Sequence, residues 1–258
     1  MAGSEQEAWD AYAEAYQARM QLSTSVVSYG PDIPTEADLR LLGDVKGKRV
    51  LDLGCGGGQA VVTFAKQGAT AVGVDYSGAQ LAWARRLAAA EEVRVDLRQN
   101  DLAELAFVRA DSMDLVFSAY ALQYVEDLGR VFRQVHRVLK VGAPLVFSIP
   151  HPSYQMLWGD PAGGVEVDGD PGDPPVIRRS YFERAPFHRQ READGESVTL
   201  TEYPRTLGDV YVGLVRASFR VDVLLEPSPA PGPRSQVFRP AMAWVPSTLI
   251  VRARKEGN

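Results

Sequence analysis

The amino-acid sequence predicts an α/β fold built on a parallel, doubly wound sheet. Two observations carry that expectation. From residue 50 onward short apolar runs alternate with stretches of helical periodicity, the pattern of successive right-handed β-α-β units. The first run, VLDL at 50–53, leads straight into the glycine-rich turn GCGGG at 54–58 and then into a helix, which puts a turn almost bare of side chains at the carboxyl edge of the sheet.

Each element follows in order. Over residues 5–20, Trp9, Tyr12, Ala13, Tyr16 and Met20 recur at the spacing of one helical face. A second helix is expected from Pro34 to Leu42, with Gly43 ending it, so that residues 1–45 form an N-terminal helical arm. Buried strands are expected at 50–53, 70–74, 93–97, 115–118 and 144–149, with helices at 59–67, 78–91 and 128–139 between them, giving a core over 46–150. In the last helix Leu128, Val131, Phe132, Val135, Val138 and Leu139 share a face that suits packing on a sheet. The rhythm breaks at Pro150. Residues 151–204 contain Pro-, Gly- and Asp-rich loops such as 168–175, then stretches at 176–187 and 196–203 divided by Asp194-Gly195, which read as an inserted, hairpin-like cap. Residues 205–258 complete the core: a helix with Leu207, Val210, Tyr211, Leu214 and Val215 on one face, then strands at 219–225 and 248–253. The Pro-rich link at 227–240 is long enough to be a mobile loop.

A chain of 258 residues accommodates one large α/β domain with an insertion. Its net charge of -5 argues against attraction to phosphate backbones or anionic membranes, so neither nucleic acid nor membrane is expected as a partner. Cys55 is the only cysteine, which rules out an internal disulfide and a multi-thiolate metal site and fits a reducing cytosol; no metal is expected. The first residues are polar and acidic, and no stretch approaches the length of a membrane span, so a cytoplasmic location is expected.

The glycine turn carries the chemistry, and its neighbours sharpen it. A dinucleotide fingerprint G-x-G-x-x-G needs glycine at position 59, where Gln59 stands. Asp52, just before the turn, would repel a pyrophosphate but suits S-adenosylmethionine, a sulfonium that also bears an ammonium group and no phosphate. Both features disfavour an NAD-dependent oxidoreductase. Asp75, in GVDYS at 73–77, ends the second strand where a carboxylate accepts hydrogen bonds from ribose hydroxyls. Asn100-Asp101-Leu102 follow the third strand, with Asp101 placed for the adenine amino group and Leu102 and Tyr76 for the faces of the ring. Singly, each aspartate reads equally well as a helix cap. Together with the turn they make one line shaped like a ligand.

At these residues the chain resembles the class I, Rossmann-like S-adenosylmethionine-dependent methyltransferase superfamily, in particular its small-molecule branch. The resemblance runs from about Trp9 to Pro150 through VLDLGCGGG at 50–58, GVDYS at 73–77, QNDLAEL at 99–105, DLVFSAYALQYVED at 114–127 and HRVLKVGAPLVFSIP at 136–150. It implies a mostly parallel seven-stranded sheet with the last strand antiparallel, S-adenosylmethionine lying across the turn and S-adenosylhomocysteine as product. It implies Gly54 and Gly56 at the methionine part, Asp75 at the ribose, Asp101 at the adenine and Ser118 at the methionine end of the fourth strand, and Cys55 and Asn100 are further candidate cofactor contacts. Val141 departs from the common pattern, where many members have proline. Gln123 and Tyr124 stand where many have histidines.

Methyl transfer from a sulfonium is an in-line displacement, accelerated by alignment in a dry pocket; a general base is optional. Of the three histidines, His136 sits in a helix as a structural residue and His188 in the hairpin. His151, directly after the fifth strand, is the candidate base or acceptor-orienting donor; the alternative is a turn histidine stiffened by Pro150 and Pro152. Tyr12, Tyr29, Tyr120, Gln123 and Tyr124 are candidate acceptor contacts and Tyr16 a cofactor contact, a tyrosine set that suits an aromatic or polyketide-like acceptor. Arg178, Arg179, Arg184, Arg189 and Arg191 read as a solvated hairpin face. The expected function is methyl transfer to oxygen, nitrogen or carbon of a small molecule; the alternative is a protein that binds S-adenosylmethionine in a non-methylating or regulatory role.

Overall fold

A computed structural model describes residues 2–158, 174–193 and 195–257. Alternate residues of the apolar runs point to opposite sides of the sheet, and both sides are covered. Val50, Leu115, Phe117, Val146 and Ile250 pack on one face with Val61, Phe64 and Leu81, while Leu51, Val116, Leu145, Phe147 and Val251 pack on the other with Val131, Phe132, Val135, Val210 and Leu214.

The strands are β1 (Arg49–Leu53), β2 (Thr70–Asp75), β3 (Asp96–Gln99), β4 (Leu115–Ala119), β5 (Pro144–Pro150), β6 (Phe187–Ala193), β7 (Glu196–Glu202), β8 (Phe219–Leu225) and β9 (Thr248–Lys255). Seven form one sheet in the order β3-β2-β1-β4-β5-β9-β8, with β9 antiparallel to both neighbours and β1 to β5 mutually parallel. The expected seven-stranded, mostly parallel architecture is what the chain adopts. Strand order reverses between β1 and β4, and a crevice opens there at the carboxyl ends of the strands.

The helices are α1 (Ala2–Met20), α2 (Glu36–Leu39), α3 (Gln59–Lys66), α4 (Gly78–Ala90), α5 (Leu128–Val138), α6 (Pro152–Gln155) and α7 (Leu207–Arg216). None among the described residues is long and apolar enough to cross a membrane. Four elements differ from the sequence expectation. α2 is a single turn, because Arg40 takes a left-handed conformation (φ 52°) and stops it. β3 lies at 96–99 rather than 93–97 and is exposed rather than buried, since it is the sheet edge and covers no second neighbour. The first hairpin strand begins at Phe187, so the apolar residues Val176, Ile177 and Phe182 lie outside it and are exposed. The 227–240 link is tied down by Asp32, which accepts from Ser235 N (2.8 Å) and Ser235 Oγ (2.6 Å), while its carbonyl accepts from Ala230 N (2.7 Å). Residues 168–173 of the Pro-Gly-Asp loop, and Asp194, lie outside the described residues.

α1 bridges the core and the hairpin because its two faces differ. Trp9, Tyr12 and Tyr16 meet one another edge-on or tilted at 5.5–6.0 Å, and Trp9 meets Tyr124 at 5.1 Å, packing beside Leu200 and Ala193 of the hairpin. Asp10 and Gln17, seven positions apart, reach the other way. Asp10 accepts from Ser77 Oγ (2.6 Å) and Ala79 N (3.0 Å) at the start of α4. Gln17 donates to Gln80 (2.8 Å) and accepts from Gln59 (2.6 Å) beside the glycine turn.

Candidate active site

The turn after β1 is shaped by what side chains would collide with. Gly54 holds φ +70°, and a Cβ there would lie 2.2 Å from Ala121 Cβ; a Cβ on Gly57 would run into the Gln17 carboxamide at 2.3 Å. Gly54 N and Cys55 N donate to Val74 O at 2.8 and 3.0 Å, which clamps the turn onto β2. Asp75 supports it from below, accepting from Gly56 N and Ser77 N, both at 2.9 Å. Burial pushes the Asp75 carboxyl up to about 6 against the pull of those two amides.

Asp52 is 2% exposed, and its Oδ2 is buried with no hydrogen-bond partner among the described residues. Burial first, and then the Asp75 charge, push its carboxyl up to about 8. A buried carboxyl with one oxygen unpartnered among the described residues, next to a turn free of bulky side chains, is a ready partner for a cation. The cleft gathers Asp52, Gly54, Cys55 and Gly56 with Tyr16, Leu22, Ser28 and Ala119. Asp75, Tyr76, Asn100, Asp101 and Leu102 do not line that cleft; they lie beyond it toward β3, where Asn100 N donates to Asp75 O (3.0 Å), Asp101 is exposed and accepts from Ala103 N (2.7 Å), and Leu102 lies 3.6 Å from the position of a Gly54 Cβ. Tyr76 is held there by Gln99, whose amide donates to the Tyr76 carbonyl (3.1 Å), and burial raises its phenol. These acceptors and surfaces fit S-adenosylmethionine: a cradle for its cationic end, a carboxylate for its ribose and an apolar residue beside an exposed acid for its adenine.

Next to the cleft lies a cavity of about 700 Å³, lined among others by Trp9, Tyr12, Tyr16, Tyr120, Gln123 and Tyr124. Tyr16, Leu22, Ser28 and Ala119 line both spaces. The far wall is the β6–β7 hairpin, part of the inserted region 151–204 expected to shape the acceptor pocket, together with Trp158 and Met242, for which the sequence offers no separate signal. Inward-facing Phe187 and Arg189 alternate along β6 with exposed His188 and Gln190. Arg189 stacks 3.6 Å above Trp158 and pairs with Glu202 at 2.7 Å, both side chains buried.

Four sequence-predicted site residues have other work here. His151 does not line the cavity; its Nδ1 accepts from Ser153 N (3.0 Å) and its Nε2 donates to Glu226 (2.8 Å), so neither ring nitrogen is open to an acceptor. Burial lowers its pKa, and the neutral ring caps α6 and pins β8's end. Tyr29 is wholly buried against Phe117 (5.8 Å) with its hydroxyl on Glu36, so it is core. Ser118 Oγ donates to Leu53 O (2.8 Å) across the β1–β4 seam, leaving Phe117 and Ala119 to line the cleft. Cys55 turns its thiol against Gly73, so only its backbone is offered to the cleft. Arg189, expected on a solvated face, is buried. For His151→Ala we expect a loss of about 1–2 kcal/mol in thermal stability with turnover at the wild-type level; collapsed turnover in a fully stable variant would return the residue to the catalytic list.

Comparison with known proteins agrees with this geometry. A family model described as a methyltransferase domain matches residues 51–147. The crystal structure of an S-adenosylmethionine-dependent methyltransferase from Mesorhizobium loti superposes with a TM-score of 0.63 at 32% identity, over 84% of this chain and 94% of that one. The chain belongs to the S-adenosylmethionine-dependent methyltransferases. An uncharacterised protein of Haemophilus influenzae is 25% identical to this methyltransferase over 95% of both chains. A ubiquinone biosynthesis O-methyltransferase of Hahella chejuensis is 43% identical over 102 residues, 40% of this chain and 43% of that protein. The methyltransferase thus spans less than half the length of that curated relative.

Proposed function

We propose that the protein transfers a methyl group from S-adenosylmethionine to a small molecule held in the 700 Å³ cavity. One observation carries this: the acceptor cavity and the cofactor cleft share a wall of Tyr16, Leu22, Ser28 and Ala119, so a ligand in one abuts a ligand in the other. When bound, S-adenosylmethionine supplies an electrophilic methyl group to a nucleophile aligned opposite its sulfur. Asp52 and the Gly54–Gly56 backbone hold the methionine end, Asp75 the ribose, and Asp101 with Leu102 the adenine.

The acceptor is read from the cavity, because the family model ends at residue 147, ahead of the hairpin that walls it. Tyr12, Tyr16 and Tyr124 present flat faces that suit an aromatic ring. Burial raises the Tyr16 phenol to about 12 and lifts Tyr120 and Tyr124 above their usual range, so these rings stay protonated and act as walls and donors rather than bases. Gln123 donates to Tyr120 O (2.8 Å), which fixes its amide, and leaves its Oε1 buried with no partner among the described residues. It is positioned to take a hydrogen bond from an acceptor hydroxyl or amine. Alignment and exclusion of water do the main work in this reading, and an oxygen nucleophile fits it as it fits the name of the Hahella relative.

Calorimetric titration with S-adenosylmethionine, S-adenosylhomocysteine and NAD tests the cofactor, and S-adenosylhomocysteine release with a panel of phenols tests turnover. Saturable binding of the first two and product release with a phenol are expected. Tight NAD binding without S-adenosylmethionine binding overturns the reading; cofactor binding without turnover on any acceptor points to a non-methylating role.

A further inference from the structure

The cofactor cleft is shut in this structure. Asp52 and Asp75, the two carboxylates offered to the cofactor, are 2% and 7% exposed, and the cleft at the glycine turn encloses about 70 Å³ without reaching Asp75. Pockets that take a drug-sized ligand run from about 300 Å³ upward. A molecule the size of S-adenosylmethionine therefore reaches the turn and Asp75 together only after part of the protein moves.

The part that covers the site is α1. Its Asp10 accepts from Ser77 Oγ (2.6 Å) and Ala79 N (3.0 Å), just beyond Asp75, and its Tyr16 lines the cleft. Gln17 is buried against the turn: its Oε1 accepts from Gln59 Nε2 (2.6 Å) and its Nε2 donates to Gln80 Oε1 (2.8 Å), so one carboxamide ties α1 to the first turns of both α3 and α4. Gln59 is the residue that stands where a dinucleotide turn needs glycine. Gln17 itself lines neither the cleft nor the acceptor cavity, and so acts only through the helix. The tie is incomplete, because Gln80 Nε2 is buried without a partner among the described residues, and a network with an unmet donor opens more easily than a satisfied one. After α1 ends at Met20, Gln21 takes a left-handed conformation (φ 44°), and Val27 and Tyr29 are the next residues buried in the core. The stretch between them gives the helix a hinge.

We propose that α1 is a lid on the cofactor site, hinged over residues 21–26, and that Gln17 is the positioning residue that latches it. The helix lifts to admit S-adenosylmethionine, closes over it, and lifts again to release S-adenosylhomocysteine. This rests on the methyltransferase reading above and adds how the cofactor enters and leaves the same site. The same helix carries Trp9, Tyr12 and Tyr16 of the acceptor cavity, so that cavity is whole only while the lid is shut.

The test follows S-adenosylhomocysteine binding to the full chain by surface plasmon resonance, in the wild type and in Gln17→Met, which keeps the length of the side chain and loses both hydrogen bonds. Loss of the latch is expected to raise the association and dissociation rates alike, each about tenfold, with affinity kept within about threefold. A rise in dissociation alone makes Gln17 a direct cofactor contact and overturns the inference, and so do unchanged rates. Hydrogen exchange gives a second measurement on the wild type alone. A helix released from its packing frays, so the amides of residues 8–20 are expected to exchange about tenfold more slowly with S-adenosylhomocysteine bound; equal exchange with and without it overturns the lid. Failure of S-adenosylhomocysteine to bind the wild type overturns the methyltransferase reading and this inference with it, whereas binding with unaltered rates in the variant leaves that reading standing.

Discussion

Asp52→Asn is expected to weaken S-adenosylmethionine binding about 100-fold while making the cofactor-free protein more stable in alkaline buffer. The two effects have one cause. Asp52 is buried with one oxygen unpartnered among the described residues, and its carboxyl is pushed up to about 8, so without a cationic partner it stays protonated at neutral pH. Its folded-state pKa lies above the unfolded value. Its contribution to stability is therefore fully present below the unfolded pKa, near 3.8, and is lost as pH rises through about 8. Asparagine has the same shape and no proton to lose, so the variant's melting temperature should not show that fall. The same substitution removes a carboxylate beside the turn able to pair with a cationic ligand, and a hydrogen bond to a charged group contributes about 1.5–3 kcal/mol. Thermal melts at about pH 6 and about pH 9, paired with calorimetry in two buffers of different ionisation enthalpy, measure both halves. Wild-type affinity in the variant, or no proton release when the native protein binds cofactor, would sink the assignment.

The glycine turn and the cleft beside it are legible in the sequence because their signals are local. Asp52, Gly54 and Gly56 lie close together in sequence, Asp75 ends a strand and Asp101 comes just after one, and the central strands are apolar runs that a doubly wound sheet buries on both faces. β3 was misplaced for the same reason: Val93 and Val95 mimic a buried strand, whereas the pairing edge is the polar run of Asp96 to Gln99. The acceptor half was far less legible. His151 stands at the right sheet edge, yet Glu226 and Ser153, neither of which a local pattern connects to it as a ring partner, occupy both of its nitrogens. Tyr29 looked like a wall residue until Phe117 and Glu36 enclosed it. Arg189 carried no motif at all. The usable signal was alternation: Phe187, Arg189 and Ala193 fall on one side of a strand, and an arginine on an apolar side calls for a carboxylate opposite. Asp10 and Gln17 offered a comparable hint, two polar residues seven apart on a helix otherwise recognised by its aromatic face.

That carboxylate is Glu202, and Glu202→Gln is expected to destabilise the protein by about 3 kcal/mol, the usual result of leaving one buried charge of a pair alone. In the hairpin register Phe187 faces Glu202 and Arg189 faces Leu200, so the pair is diagonal across two strands that both wall the cavity. Trp158 keeps its stack on the guanidinium in the variant, but a cation over an indole in a dry wall does not replace a charged hydrogen bond. If uncompensated charge is the cause, Arg189→Met combined with Glu202→Leu should recover most of the lost stability, since apolar replacement of a buried pair is often neutral. Denaturant unfolding of the wild type, Arg189→Met, Glu202→Leu and the double variant closes the cycle. Simple additivity of the two single losses would contradict a coupled pair.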